Sequence, residues 1–299
     1  MTPGESHRPR AIVTFDVEDW FQTENLRTVC PRRSWEDMPR RVGAATRVVL
    51  GLLGEYQVRA TFFVLGWVAE REPALVREIA QNGHEVACHG YGHVMATQMT
   101  GKEFREDVAR ARGLLTALSG QPVIGYRAPS FNIRGDDLRT LAACGFRYDS
   151  SLHPFTLHDR YTQLPELGRR LGPGVSVMTD SIVELALPVE RVGPLQVPIA
   201  GGAYFRLFPP SWFRRLVRRA LTRDGHYVMY LHTWEFDPGQ PRLRGAGIAR
   251  TFRHYHHLSH TQARMERLIR MLQGLGTQFV TAREFVGAAA GIGCGAEGS

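Results

Sequence analysis

Strand-like and helix-like segments alternate from the beginning of this chain. Residues 11–15 and 60–65 are apolar runs that predict buried strands, and residues 42–56 repeat their apolar side chains with helical periodicity. A helix is predicted to begin at Pro73, and a further strand is predicted at residues 85–88. This alternation predicts an α/β fold with a parallel sheet covered by helices, and the number of repeats favours a (β/α) barrel.

The alternation stops between about residues 151 and 210, where proline and glycine are frequent and only short β-like pieces remain. We therefore expect a β-rich insertion within a single domain of residues 1–286, which ends in a C-terminal extension over about residues 232–286. A capping box that begins at Ser259 predicts a late helix. Residues 287–299 are rich in glycine and alanine and predict a flexible tail.

Apolar residues make up 43% of the chain and charged residues 22%, which is typical of a globular protein. No apolar run reaches the roughly 18 residues of a membrane span. The polar N-terminal segment lacks the apolar centre of a signal peptide. The four cysteines form no Cys-x-x-Cys pair and fit a reducing compartment. These features together predict a cytoplasmic protein.

The net charge of +8 comes almost entirely from arginine, because Lys102 is the only lysine. Arginines cluster in residues 211–221, where apolar residues recur at helical spacing. We favour a core-packed helix with a solvated arginine face and keep contact with an anionic polymer or the inner membrane surface as the alternative. One basic cluster does not predict a nucleic-acid partner, and the sequence indicates no protein partner.

Two histidines, His89 and His93, follow an apolar strand and are separated by two glycines, which allow the tight turn that would bring both rings to one cation. Three carboxylates, Asp16, Glu18 and Asp19, crowd the end of the first strand. Two imidazoles with one carboxylate are the ligands of many catalytic zinc sites. The pattern therefore predicts a metal site.

Polar side chains follow three further predicted strands, in the segments Arg127-Ala128-Pro129, Tyr148-Asp149-Ser150 and Leu231-His232. In parallel α/β proteins the carboxyl ends of the strands meet at one face. We therefore expect all five polar segments to share one site.

The order of these motifs resembles that of the polysaccharide deacetylases, the NodB-homology carbohydrate esterases. The matching residues are Asp16 in the first motif, His89 and His93 in the second, Arg127 and Pro129 in the third, and Leu231 and His232 in the last. The residues around the first and last motifs resemble, more narrowly, those of a subgroup that accompanies exosortase-linked exopolysaccharide biosynthesis in bacteria. The resemblance implies a distorted (β/α) barrel and a metal-dependent removal of acetyl groups from sugars.

Val17 departs from the family pattern, which has a second aspartate at that position. In an extended strand Asp16 and Glu18 point to the same face, which makes Glu18 the natural substitute ligand. Asp19 takes that place if the chain turns directly after Val17, so both carboxylates remain candidates.

The resemblance also implies roles for the other residues. Asp16, oriented by Arg127, would accept a proton from the attacking water, and His232 would protonate the departing amine as general acid. The cofactor would be one divalent ion on the two motif histidines and a carboxylate, most simply Zn²⁺, with Co²⁺ or Mn²⁺ as substitutes. A backbone N–H near Tyr91 or Arg127 would stabilise the oxyanion.

The predicted substrate contacts are Tyr91, Pro129, Asp149, Ser150, Tyr204 and Trp234. Aromatic residues such as Trp20, Tyr204 and Trp234 more often pack in a core, although their faces also suit sugar stacking. A late histidine-rich stretch raises a second metal site as an alternative to a polar helix face; its members are His254, His256, His257 and His260.

We expect a hydrolase that removes acetyl groups from N-acetylated amino sugars, with an acetylated oligo- or polysaccharide as substrate. A bacterial exopolysaccharide or its precursor is the expected source of that substrate. Two alternatives stay open: a metal-assisted amidohydrolase for small non-sugar amides, and a catalytically silent carbohydrate-binding protein.

Overall fold

A computed structural model describes residues 8–155, 168–179 and 182–291. The strands in these ranges are β1 (Arg10–Val17), β2 (Thr61–Val64), β3 (Glu85–Cys88), β4 (Gly125–Tyr126), β5 (Tyr148–Asp149), β6 (Arg169–Gly172), β7 (Val175–Val177), β8 (Val183–Leu185), β9 (Val189–Val192), β10 (Leu195–Pro198), β11 (His226–His232) and β12 (Gln278–Val280). The α-helices are α1 (Val42–Glu55), α2 (Gly66–Arg71), α3 (Pro73–Gln81), α4 (Gly101–Ser119), α5 (Gly135–Ala143), α6 (Gly202–Leu207), α7 (Pro210–Asp224), α8 (Ile248–Tyr255), α9 (Thr261–Gly274) and α10 (Ala282–Ala290).

Ten strands form one sheet in the order β11-β1-β2-β3-β4-β5-β8-β7-β6, and β12 pairs with β1 beside this path. All pairs from β11 to β8 are parallel, whereas β6, β7 and β8 pair antiparallel. The predicted parallel sheet with covering helices is therefore confirmed. It forms the distorted (β/α) barrel expected from the sequence.

The central strands are buried on both faces, which is why they read as apolar runs rather than as alternating segments. The long helix α4 begins where a capping box closes: Thr100 Oγ1 accepts from the Glu103 amide, and the Glu103 carboxylate accepts from the Thr100 amide. The short helix α2 carries no comparable signal and was not expected from the sequence.

Part of the region expected to be an insertion, residues 151–210, belongs to the main sheet. Its strand β8 pairs parallel with β5 and so continues the main sheet, while β9 and β10 form a separate antiparallel hairpin. The hairpin leads to Gly201, which pairs with Tyr230 on β11 at a φ of 143°. A Cβ at Gly201 would lie 1.8 Å from the Tyr230 carbonyl oxygen, so only glycine allows this approach. The pairing brings α6 against β11.

Two features of the C-terminal region differ from expectation. The helix predicted from the capping box at Ser259 begins at Thr261 instead, after a 3₁₀ turn over Leu258–His260, and its N-cap His260 makes no side-chain cap hydrogen bond. The expected tail is helical at its start, because α10 extends to Ala290, and residues 292–299 lie outside the described residues. In the described part of the chain, none of the helices has the length and apolar character needed to cross a bilayer.

Candidate active site and metal centre

Four residues singled out in the sequence lie at the carboxyl ends of neighbouring strands. Asp16, near the end of β1, is in register with His232, the last residue of β11. His89 and Arg127 directly follow β3 and β4, whose last residues are paired with each other. The parallel register therefore brings the four side chains to one end of the sheet.

Glu18, His89 and His93 form a group of possible metal ligands, since one ligand atom of each lies within 4.8 Å of the others. Glu18 Oε2 is 2.9 Å from His93 Nε2. Between the histidines Gly90 has a φ of 72°, and His93 itself has a φ of 52°. These left-handed backbone conformations turn the chain so that both rings reach the same carboxylate.

The His89 ring is fixed in the tautomer that a metal requires. Its Nδ1 lies 2.8 Å from the Arg127 carbonyl oxygen, which can only accept, so Nδ1 carries the proton and Nε2 keeps a free lone pair. Burial lowers the pKa of His89 to about 4, despite the nearby charge of Asp16. His89 is therefore neutral near pH 7 and ready to act as a ligand.

Asp19 has a different task. Its Oδ2 accepts hydrogen bonds from the Arg41 and Val42 amides at the start of α1, at 2.8 and 3.1 Å, and its Oδ1 accepts from the Trp20 amide at 2.9 Å. Burial raises the pKa of Asp19 to about 6, although these hydrogen bonds oppose the shift. Of the two candidate carboxylates, the structure places Glu18 beside the histidines and Asp19 at a helix N-terminus.

The donor set suits a divalent cation. Trp234 Nε1 donates to Glu18 Oε1 at 3.1 Å, while Glu18 Oε2 is buried and lies 2.9 Å from His93 Nε2. Burial favours protonation of Glu18, but the positive charges of His93 and His232 outweigh it and hold the Glu18 pKa well below its usual range. A buried, ionised carboxylate oxygen beside two imidazoles fits a zinc-type ligand set.

Arg127 is fully buried and holds Asp16. Its Nη1 donates to Asp16 Oδ1 and to Thr14 Oγ1, both at 2.8 Å, and its Nε donates to the Ser150 carbonyl at 3.1 Å. The guanidinium also lies over the Phe63 ring, 4.1 Å from its centroid. Such a pair is rigid, and removal of either partner would leave a buried charge uncompensated. The free oxygen, Asp16 Oδ2, lies 3.9 Å from His89 Nε2.

His232 is positioned by residues that the sequence analysis missed. Its Nδ1 lies 2.9 Å from Glu235 Oε1, and Arg206 Nε donates to Glu235 Oε2 at 2.6 Å. Burial opposes protonation of His232, but the hydrogen bond to Glu235 and the charge of Glu18 raise the His232 pKa to about 9. Burial by itself would raise the pKa of Glu235, but the charges of Arg206 and His232 lower it to about 2. Glu235 stands three residues after His232 and could have been suspected from that spacing, whereas nothing in the sequence indicates Arg206.

Trp234 connects the candidate metal ligand Glu18 to another buried histidine, His254. Its ring lies between His232 and His254, with ring centroids 5.2 and 4.2 Å away and both pairs stacked. His254 in turn contacts the Gln240 side chain, with 2.8 Å between His254 Nε2 and Gln240 Oε1. His254 therefore supports the site by packing behind Trp234. Nothing in the sequence distinguished it from the other late histidines.

A cavity of about 110 Å³ opens onto these groups. Of the predicted substrate contacts, Tyr204 and Trp234 line it. Its remaining lining comes from Asp16, Glu18, Thr23, Glu24, Asn25, His89, His93, Ser130, Phe131, Ala203, Arg206, Tyr230, His232, Glu235 and Arg253. The pocket is thus built by both halves of the chain.

Tyr91 and Pro129 do not line this cavity, contrary to expectation. Tyr91 Oη donates to Glu70 at 2.6 Å, and the Arg110 guanidinium covers its ring. Pro129 is buried in a 3₁₀ turn. The expected oxyanion donors are also engaged, because the Tyr91 amide donates to Asp107 and the Arg127 amide to the Cys88 carbonyl.

Asp149 and Ser150 are fully buried and lie behind the site instead of in a substrate groove. Ser150 Oγ accepts from Arg127 Nη2 at 3.0 Å and donates to the Leu185 carbonyl. Asp149 Oδ1 accepts from Ser151 Oγ at 2.6 Å, and burial raises its pKa. Trp20 is likewise a core residue, whose Nε1 donates to the Pro39 carbonyl.

The late histidines form no second metal site among the described residues, where the only candidate ligand group is the one at Glu18. His256 and His257 stack on each other with ring centroids 3.7 Å apart. The arginine helix α7 buries its apolar side, and its Arg219 and Arg223 form ion pairs with Glu190 on β9.

Comparison with known families divides the chain in two. Residues 33–148 match the family model "Polysaccharide deacetylase", and residues 150–286 match a domain of unknown function. The second match covers α6 and Glu235, so this uncharacterised domain supplies part of the pocket wall.

Two curated relatives are a peptidoglycan deacetylase-like protein of Gibberella zeae and a chitooligosaccharide deacetylase of Sinorhizobium fredii. The first is 33% identical over 50% of this chain and 46% of the relative, and the second is 35% identical over 41% of this chain and 60% of the relative. The chain thus spans less than two thirds of the length of either.

A crystal structure from Mycobacterium smegmatis, assigned as a polysaccharide deacetylase, has the same fold with a TM-score of 0.63. It is 22% identical, and the match covers 97% of this chain and 93% of that one. The family model and the relatives together show that residues 33–148 are similar to the polysaccharide deacetylase family.

Proposed function

We propose that this protein is a divalent-metal-dependent hydrolase that removes acetyl groups from N-acetylated amino sugars. One observation carries the proposal: Asp16, which Arg127 holds from behind, the Glu18–His89–His93 ligand group and His232 all line one pocket. The catalytic base, the metal ligands and the catalytic acid needed for amide hydrolysis are then within reach of a single bound acetamide group.

Glu18, His89 and His93, which all line the pocket, would hold the cation, most simply Zn²⁺. When bound, such a cation polarises a carbonyl group and lowers the pKa of a water molecule. Asp19 takes no part, because its Oδ2 accepts two backbone hydrogen bonds at the start of α1 and its Oδ1 accepts one from the Trp20 amide.

Asp16 acts as general base through a defined atom. Arg127 occupies Oδ1, so Oδ2 is the oxygen that faces the ligand group and accepts the proton of the attacking water. The fourfold anchoring of Arg127 keeps this carboxylate in one orientation.

His232 acts as general acid through Nε2. Its Nδ1 is held by Glu235, and its Nε2 lies 4.0 Å from Asp16 Oδ2 and 3.6 Å from Glu18 Oε1. A proton on Nε2 therefore points to the place where the amine leaves. Glu235, braced by Arg206, is a positioning residue for this ring.

The pocket lining supports a sugar as the carrier of the acetyl group. Tyr204 and Trp234 offer aromatic surface, and Glu24 and Asn25 offer polar groups for hydroxyls. A bacterial exopolysaccharide or its precursor is part of this proposal and rests on the sequence resemblance alone.

The test is acetate release from a panel of acetylated substrates, with and without a chelator. The panel contains acetylated chitooligosaccharides, peptidoglycan fragments, an acetylated exopolysaccharide and a small non-sugar acetamide. We expect chelator-sensitive release from at least one amino sugar, and release slowed by about 10² to 10⁴ in the Asp16→Asn variant. Release from the small acetamide alone would favour the amidohydrolase alternative, and sugar binding without release would favour a silent carbohydrate-binding protein.

A further inference from the structure

Helix α8 presents two large apolar side chains to solvent. Ile248 is 92% exposed and Phe252 52% exposed, and residues four apart on a helix lie on the same face. Other residues of α8, His254 and Tyr255, are buried against the domain. A helix that packs one side and leaves an apolar face in water indicates a surface with a binding partner.

This apolar face lies beside the pocket. Arg253, also on α8, lines the pocket that holds Asp16 and the ligand group. Phe252 packs against His256, with ring centroids 4.4 Å apart. The apolar face and one residue of the pocket wall therefore belong to the same short helix.

The charge around α8 indicates the chemistry of the partner. Residues 238–265 contain five arginines and no aspartate or glutamate. Arg242 and Arg244, just before α8, are exposed. A second copy of the chain would bring the same basic face against this one, which opposes self-association. An anionic lipid bilayer satisfies both the apolar face and the basic surroundings.

We propose that α8 and the basic segment 238–265 dock this protein on an anionic membrane surface, with Ile248 and Phe252 inserted among the lipid head groups. The pocket then lies next to the bilayer, where it reaches saccharides carried on lipid. This inference rests on the exposed face and its charge, and it does not require the proposed deacetylase activity.

The arginine helix α7 is the weaker candidate for such contact. Two of its arginines are paired with Glu190. Among the described residues, the large apolar side chains that are exposed lie on other elements than α7. Its positive face therefore lacks the apolar part that insertion into a bilayer needs.

The experiment is sedimentation of the purified protein with two kinds of vesicle, phosphatidylcholine alone and phosphatidylcholine mixed with phosphatidylglycerol. We expect binding only to the anionic vesicles and a weaker interaction as salt increases. The Ile248→Asp, Phe252→Asp double variant should lower vesicle partitioning by about tenfold or more, because both apolar side chains are lost and two negative charges are added.

Two controls separate this site from general surface effects. Leu195→Asp replaces an apolar residue on β10 that is 61% exposed, and Arg215→Glu with Arg218→Glu reverses the exposed face of α7. Both should stay within about twofold of wild type in vesicle partitioning. Should the α8 variant fail to show wild-type thermal unfolding, Arg244→Glu with Arg250→Glu tests the same surface through its charge.

Three results would overturn the proposal. The first is that wild-type protein does not bind anionic vesicles. The second is that the α7 substitutions abolish vesicle binding while the α8 substitutions leave it intact. The third is that sedimentation velocity shows a dimer of the wild-type protein that is lost only with the α8 substitutions. Acetate release from a soluble acetylated oligosaccharide, measured on the same variants, reports on the proposed activity separately. We expect it to be unchanged by the α8 substitutions.

Discussion

Asp16 and His232 are register partners on the adjacent parallel strands β1 and β11, with Asp16 Oδ2 4.0 Å from His232 Nε2. The two residues are 216 positions apart in the chain, yet the sheet fixes their separation. Each is held from behind by a buried ion pair, Asp16 by Arg127 and the His232 partner Glu235 by Arg206. The proposed base and acid are therefore preorganised before any substrate binds.

The first prediction separates the base from the metal ligands. Asp16→Asn keeps the shape of the side chain but cannot accept a proton, so kcat on an N-acetylated sugar should fall by about 10² to 10⁴. Metal content, measured by elemental analysis, should stay at the wild-type level. Loss of metal in this variant would assign Asp16 to the ligand group instead.

The second prediction separates Glu18 from Asp19. Glu18→Gln should weaken metal affinity, because a neutral amide is a poorer ligand than a carboxylate. Asp19→Ala should leave metal affinity unchanged and lower the free energy of unfolding by about 1 to 2 kcal/mol, since it removes the cap of α1. Calorimetric metal titration and urea unfolding of both variants check this. The opposite pattern would exchange the two roles.

A third prediction concerns Glu235 as a positioning residue. Glu235→Gln removes the charge that orients His232, so kcat on an N-acetylated sugar should fall by about 10- to 100-fold. The loss should be smaller on an activated acetyl ester, whose leaving group departs without protonation. Glu70→Gln, at a carboxylate bonded to Tyr91 outside the pocket, is the matched control and should change neither rate. Equal losses on amide and ester would mean that Glu235 supports the fold rather than the acid.

The fourth prediction is a pH dependence of stability that arises from buried neutral histidines. Burial lowers the pKa of His254 to about 3 and that of His84 to about 4. Below about pH 6.5 the unfolded chain takes up protons at these residues that the folded chain does not, so stability falls as the pH drops toward these folded pKa values.

For His254 alone the expected loss between pH 7 and pH 5 is about 2 kcal/mol. Urea unfolding of metal-free wild type and of His254→Asn at the two pH values measures it. The variant should lose less stability on acidification by about that amount. If His254→Asn lost as much free energy of unfolding between pH 7 and pH 5 as wild type does, His254 could not be a buried neutral residue.

Local patterns account for what the sequence could predict. Runs of apolar residues located the central strands, and Pro73 located the start of α3. Strand alternation favoured Glu18 over Asp19 because side chains two apart share a face. The use of Asp19 as a cap depends on the N-terminus of α1, which lies more than 20 residues away in the chain, so no local pattern contains it.

The rest of the site depends on contacts between distant segments. Arg206 comes from α6, which reaches the pocket only because Gly201 pairs with Tyr230. Tyr91 lies within a metal motif, yet its side chain turns to Glu70. The side chains that line the pocket are therefore determined by tertiary packing, and the position of a residue in a motif does not predict them.

The most direct test of the proposed function is the recovery of activity when metal is returned to metal-free protein. Acetate release from an N-acetylated oligosaccharide should rise with added Zn²⁺ and level off at about one equivalent per chain. The His89→Ala, His93→Ala double variant should stay inactive throughout, while His256→Ala with His257→Ala should follow wild type. Activity that needs no metal, or that returns equally in the His89→Ala, His93→Ala variant, would contradict the account.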